Sequence, residues 1–182
     1  MYAGHFAVGL ALKAKRPAAP TWAILFGTGF LDVLFGIFVM LGIERVTMTP
    51  HVGQGFSLDF IDWSHSLVMS LIWSALYGLI FWRKGRSVVF LVAFAVFSHF
   101  LLDLPMHPKD LALWPYAGTH IGFGFWNRLP QGWWWIELAV IAAACAYYLR
   151  RARHQTCFGG HAWWASAVVV LLHILNAPWW KS

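Results

Sequence analysis

The chain has 182 residues, 60% of them hydrophobic and only 11% charged, with a mean hydropathy of +0.62 and a formal net charge of +6. A soluble domain is about 45–50% apolar and about 25% charged, so a single water-soluble core is excluded and an integral membrane protein with little mass outside the bilayer is expected. The two cysteines, Cys145 in an apolar run and Cys157 in a basic loop, make neither a disulfide framework nor a thiolate zinc site.

The start, MYAGHFAVGLALKAKRP, places its basic residues after the apolar part, the reverse of a cleavable signal peptide. Residues 2–12 are apolar but too short, at about 1.5 Å per residue, to span comfortably. Stretches near the roughly 20 residues that a span requires follow at about 21–43, 64–82, 87–105, 132–149 and 161–179. The expected fold is an all-α, polytopic transmembrane helix bundle of five long spans plus a short N-terminal membrane helix, forming one domain over residues 1–182.

Basic residues cluster in three connections: Lys13, Lys15 and Arg16; Arg83, Lys84 and Arg86; Arg150, Arg151 and Arg153. The positive-inside rule puts these on the cytoplasmic side. The longer connections, 44–63 and 104–131, carry Glu44, Asp59, Asp62 and Asp110 and fall on the far side. Tryptophans agree, with Trp133, Trp134, Trp135, Trp179 and Trp180 at the far interface and Trp82, Trp163 and Trp164 at the near one. The positive charge thus serves orientation and anionic-lipid contact, and no nucleic-acid partner is expected. The localisation expected is a bacterial inner membrane.

On that topology His5, His65, His99, Asp103 and Glu137 fall near the far ends of their segments, and Asp32 lies deep in the first long one. A charge within a bilayer costs at least about 2.5–3.5 kcal/mol, so such groups normally face one another or a cavity. Imidazole nitrogens and carboxylate oxygens without thiolates suit Zn²⁺, and also Mn²⁺ or Fe²⁺. The expected metal-ligand pool is His5, Asp32, His65, His99 and Asp103. His99 and Asp103, four apart, share a helix face. That spacing reads equally as a pair of ligands and as an orienting hydrogen bond. His173 with Asn176 reads as a hydrogen-bonded core pair and Glu137 as a headgroup-level residue. Ser66 and Ser98 read as helix-packing residues, since no Gly-x-Ser-x-Gly elbow is present.

The outer connections add Asp62, His107 and His120 as acid/base candidates, and Lys109 and Arg128 as candidates to bind an anionic group of a substrate. Asp62 also reads as a helix cap. The segment 104–131, broken by Pro105, Pro108, Pro115 and Pro130, reads equally as a cap over the site or as an aromatic stretch lying on the membrane.

Gly4-His5, Leu31-Asp32, Ser64-His65-Ser66, and Ser98-His99 with Asp103 followed by Leu113-Trp114-Pro115 occur in an order and spacing that resembles the LexA-regulated, membrane-bound metal-dependent hydrolase family. The likeness covers residues 2–116. It departs where Leu31 stands for the family's Pro, Leu34 for its second Asp, and Phe60 for the leading His of the third motif. The resemblance implies a hydrolase, similar to zinc-dependent phospholipase C-like enzymes in using His and Asp on helices, with fewer ligands than two metals need.

The leading expectation is a metal-dependent hydrolase whose site faces the extracytoplasmic side, reached by membrane lipids and acting on a lipid-like ester or phosphoester. The alternatives are a metal-stabilised membrane scaffold and a metal or proton transporter. The apolar cytoplasmic halves of the spans weigh against transport.

Overall fold

A computed structural model describes residues 1–48, 56–129, 131–154 and 161–177. Cys157, Trp179, Trp180, Pro130 and the end of the 161–179 stretch lie outside the described residues. The least interrupted apolar run forms helix α6 (Arg86–Met106), which ends one residue after Pro105. Its buried stripe, Val92, Ala95, Val96, His99, Phe100 and Asp103, follows the three- and four-residue spacing of one helical face. Apolar and ionisable residues therefore turn inward together.

The other elements are arranged about that stripe. Helix α1 (Ala3–Lys15), helix α2 (Thr21–Thr28), helix α3 (Phe30–Met40) and helix α5 (Leu67–Leu79) all contact α6. Between α3 and α5 lie an antiparallel hairpin, β1 (Arg45–Met48) with β2 (Phe56–Phe60), and the single-turn helix α4 (Asp62–His65). Beyond α6, a second hairpin pairs β3 (Leu111–Ala112) with β4 (His120–Ile121). The short helix α7 (Phe125–Arg128), helix α8 (Gly132–Ala152) and helix α9 (His161–Leu175) complete the described chain. Helix α1 lies against α8 through the small buried residues Ala3, Gly4, Ala7 and Ala14, which let two backbones approach closely. One apolar core centres on Ile24, Leu31, Val92 and Phe100, the other on Ala7, Leu10, Ile141 and Tyr148.

The expected five long spans are not observed. Among the described residues, only α6 and α8, each of 21 residues, are long and apolar enough to cross a membrane. The stretch 21–43 breaks between α2 and α3, which meet at 54°, and would make a third crossing only as a bent pair. The stretch 64–82 loses its ends. Ser66, in an extended conformation, separates α4 from α5, accepts a hydrogen bond from Met69 N–H as the cap of α5, and leaves 13 helical residues. Helix α9 has 15 described residues, also short of a span, and α1 has 13. The all-α expectation also gives way to a mainly helical chain with two small hairpins. Continuous apolar composition did not imply continuous helix, because composition does not register where the backbone turns.

The outward surfaces remain apolar. Leu76 and Leu79 of α5, Phe90 of α6, and Val168 and Leu171 of α9 are all exposed. Soluble monomers rarely present contiguous apolar area on that scale.

Helices α5 and α6 pack tightly at Gly78, where a Cβ would stand 2.8 Å from Ala93 Cβ and 3.0 Å from the Val89 carbonyl. Gly36 of α3 has open space around the same position. Gly78→Ala is expected to destabilise the protein by about 1–3 kcal/mol through overpacking. Gly36→Ala should be neutral or stabilising by up to about 1 kcal/mol. Denaturant unfolding in detergent micelles, comparing the two, checks this.

Candidate metal centre

Four helical elements deliver one ionisable cluster. α1 brings His5, α3 brings Asp32, α4 brings His65, and α6 brings His99 and Asp103. His107, the residue that follows α6, adds a fourth imidazole. All of these side chains are buried except Asp32, whose side chain is 54% exposed while that of His99 is wholly enclosed. The cluster therefore opens to the surroundings beside Asp32.

The Nε2 atoms converge. His65 Nε2 and His99 Nε2 are 3.3 Å apart. Asp32 Oδ1 stands 3.4 Å from His99 Nε2 and 3.6 Å from His65 Nε2. Asp103 Oδ2 lies 3.0 Å from His99 Nε2, 3.7 Å from His107 Nε2 and 4.0 Å from His65 Nε2. The other oxygen, Asp103 Oδ1, accepts from the Met1 ammonium at 2.7 Å and faces His5 Nε2 at 3.2 Å. The His5 ring is stacked flat on that of His99, with centroids 3.9 Å apart.

The opposite ring nitrogens are held from behind. His99 Nδ1–H donates to the Thr28 carbonyl at 2.7 Å, and His107 Nδ1–H donates to Asp110 Oδ1 at 3.0 Å. His65 Nδ1 lies 2.7 Å from Ser64 Oγ, which is itself 2.8 and 2.9 Å from the two oxygens of Glu44. An acceptor on Nδ1 leaves the lone pair of a neutral imidazole on Nε2, the arrangement that orients metal-binding histidines. His5 differs: its Nδ1 has no hydrogen-bond partner among the described residues.

The Thr28 carbonyl is available because of the helix break. In an unbroken helix it would accept from the N–H of residue 32. The α2–α3 bend releases it to His99 and sets Asp32 at the first turn of α3.

The donor set fits a divalent cation. Donors bound to zinc at about 2.0–2.1 Å stand about 3.3–3.4 Å apart in a tetrahedron. The His65, His99 and Asp32 atoms form a triangle of 3.3, 3.4 and 3.6 Å. These three residues could hold a metal, and so could His5, His99 and Asp103. Nitrogen and oxygen donors without sulfur suit Zn²⁺, with Mn²⁺ and Fe²⁺ also compatible.

The remaining residues singled out in the sequence lie elsewhere. Asp62 does not cap α4. Its Oδ2 accepts from Tyr116 N–H at 2.8 Å, and its Oδ1 is 3.9 Å from His120 Nε2. Lys109 and Arg128 are exposed, and among the described residues neither hydrogen-bonds nor ion-pairs with the cluster. The 104–131 segment folds back on the end of α6. Phe123 N–H donates to the Leu104 carbonyl, Gly124 N–H donates to the His107 carbonyl, and Trp126 lies against the His107 ring at 4.4 Å. Gly122, at φ +143°, leaves no room for a Cβ beside the Pro108 carbonyl. Glu137 is fully buried within the protein. It accepts from Gly4 N–H at 2.9 Å and lies 3.7 Å from His173. Asp59 is bonded to Thr47 across the first hairpin, and the Thr47 hydroxyl holds its carboxyl below the ordinary range.

Glu44, Ser64, Thr28 and Asp110 were not foreseen as supporting groups. Asp110 follows His107 by three residues, a spacing that could have been read. Glu44 and Ser64 are 20 residues apart with a hairpin between them. Burial pushes the Glu44 carboxyl upward against the opposing hydrogen bonds from Ser64.

No protein-family model matches the chain, and neither a curated protein nor a solved structure does.

Asp62→Ala removes the bond to Tyr116 and should expose the 107–123 connection to limited proteolysis. The same variant should leave the affinity for Zn²⁺ within about 3-fold of the parent, since Asp62 supplies none of the converging atoms. Cleavage rates in detergent, read beside Zn²⁺ titration, check both.

Proposed function

We propose that the protein is a membrane-embedded, metal-dependent hydrolase acting on a lipid-like ester or phosphoester near the extracytoplasmic face. The observation that carries this reading is the meeting of His65, His99 and Asp32 donor atoms at 3.3–3.6 Å, open to the surroundings beside Asp32. The resemblance to the LexA-regulated metal-dependent hydrolases adds to it.

His65, His99, Asp32 and Asp103 would hold the metal, Zn²⁺ first among the candidates. When bound, the ion supplies Lewis acidity toward a carbonyl or phosphoryl oxygen. His99 is fixed by the Thr28 carbonyl and His65 by Ser64. Asp103 Oδ1 is held by the Met1 ammonium and His5, which leaves Oδ2 toward the metal position. Asp32 is the exposed carboxylate of the cluster; with Oδ1 toward the metal, its other oxygen would accept the proton of an attacking water. Burial of His65, His99 and Asp103 strengthens the interactions among them.

Three basic groups support the orientation. Lys13 and Lys15 end α1, Arg86 begins α6, and Arg150 and Arg151 end α8. The cluster lies at the ends of α1 and α6 remote from these charges. Under the positive-inside rule that end is extracytoplasmic, in a bacterial inner membrane on the proposed localisation. The apolar outer surface favours membrane lipids as partners and a substrate that arrives from within the bilayer.

The experiment is metal analysis and hydrolysis by the purified protein, with phospholipids and lipid-linked phosphates as substrates. About one equivalent of metal and chelator-sensitive turnover are expected. His99→Ala should lower metal affinity by about 100-fold or more and abolish turnover. Activity that survives both chelation and His99→Ala overturns the reading. Stoichiometric metal without turnover on any substrate instead favours the scaffold.

A further inference from the structure

The Glu44, Ser64 and His65 side chains form a chain of short contacts. Glu44 is buried in the connection after α3, Ser64 is fully buried in α4, and His65 follows it. Ser64 N–H donates to Glu44 Oε1 at 2.7 Å, and Ser64 Oγ lies 2.9 and 2.8 Å from Oε1 and Oε2. Ser64 Oγ is also 2.7 Å from His65 Nδ1. Ser64 has no exposure through which a substrate could reach it, so it is not placed as a nucleophile.

For an ionised Glu44, counting hydrogens sets the direction of the chain. A hydroxyl has one proton and a carboxylate has none. With Glu44 ionised, the Ser64 proton goes to Glu44, and Ser64 Oγ can only accept from His65. Nδ1 of His65 is then protonated, and the lone pair sits on Nε2, the atom that faces His99 and Asp32.

We infer that Glu44 is a positioning residue that sets the tautomer and orientation of His65 through the Ser64 hydroxyl. The inference rests on the metal reading above for its purpose but not for its geometry. Glu44 follows α3, which carries Asp32, while Ser64 and His65 belong to α4. The same carboxylate thus joins the two elements that bring Asp32 and His65 together.

The test uses the full chain in detergent with ¹⁵N-labelled histidine. The His65 ring shifts report the tautomer without metal, and Zn²⁺ titration against a competing chelator reports affinity. The parent protein is expected to show protonated Nδ1 on His65. Ser64→Ala should give mixed tautomers and about 10–100-fold weaker Zn²⁺ binding, and Ser64→Thr should restore both. Glu44→Gln, which keeps one acceptor oxygen, serves as a second variant should Ser64→Ala fail to fold. It is expected to lose less than Ser64→Ala in both measurements.

A His65 protonated on Nε2 in the parent, as a chain running the other way from a protonated Glu44 would impose, overturns the inference. Parental tautomer and affinity in Ser64→Ala, or in Glu44→Gln if that variant alone folds, do the same. A parent protein that binds no Zn²⁺ removes the metal reading, while the tautomer comparison still decides the role of Glu44.

Discussion

Two imidazole nitrogens that face each other across 3.3 Å inside an apolar bundle impose the governing constraint. Both carry lone pairs on that side if their opposite nitrogens are donors. Lone pair against lone pair is repulsive, and burial removes the water that would relieve it. A positive species between them, whether a proton or a cation, turns the repulsion into attraction. The carboxylates of Asp32 and Asp103, on the same side, strengthen the demand. Without compensation, the burial of so many polar groups at one spot would oppose folding.

The fold meets that demand by supporting the rings from outside the cluster. Each support differs in kind: a main-chain carbonyl behind His99, a carboxylate behind His107, and a hydroxyl tied to a carboxylate behind His65. All three come from where a helix ends, Asp110 from the turn after α6. The carbonyl comes from the end of α2, and Glu44 comes from the turn after α3. The interruptions that shorten the expected spans are also the places from which the site is held. Backbone polar groups freed at depth in a membrane need partners within the protein, and the imidazole of His99 is one such partner.

The sequence made legible what depends on spacing within one element. His99 and Asp103 share a face because helices repeat every 3.6 residues, and the lengths of α6 and α8 follow from uninterrupted apolar composition. The candidate ligands were recognisable as costly residues in apolar surroundings. What was not legible depends on backbone direction. Gly29 and Ser66 look unexceptional in composition, yet one sits at a 54° bend and the other in an extended break. Asp62 bonds to Tyr116, 54 residues away, and Ser64 to Glu44, 20 residues away. Such pairings need the tertiary path of the chain, and neither residue's neighbours announce them.

The acceptor behind His99 is an atom that every amino acid carries. Replacing Thr28 by another residue changes the side chain and leaves the carbonyl in place. Only a different route of the backbone, such as an α2–α3 segment that continues straight, can withdraw it. This part of the site is consequently encoded in a bend rather than in an identity, and a chain could diverge widely at position 28 while keeping the ring of His99 in the same orientation.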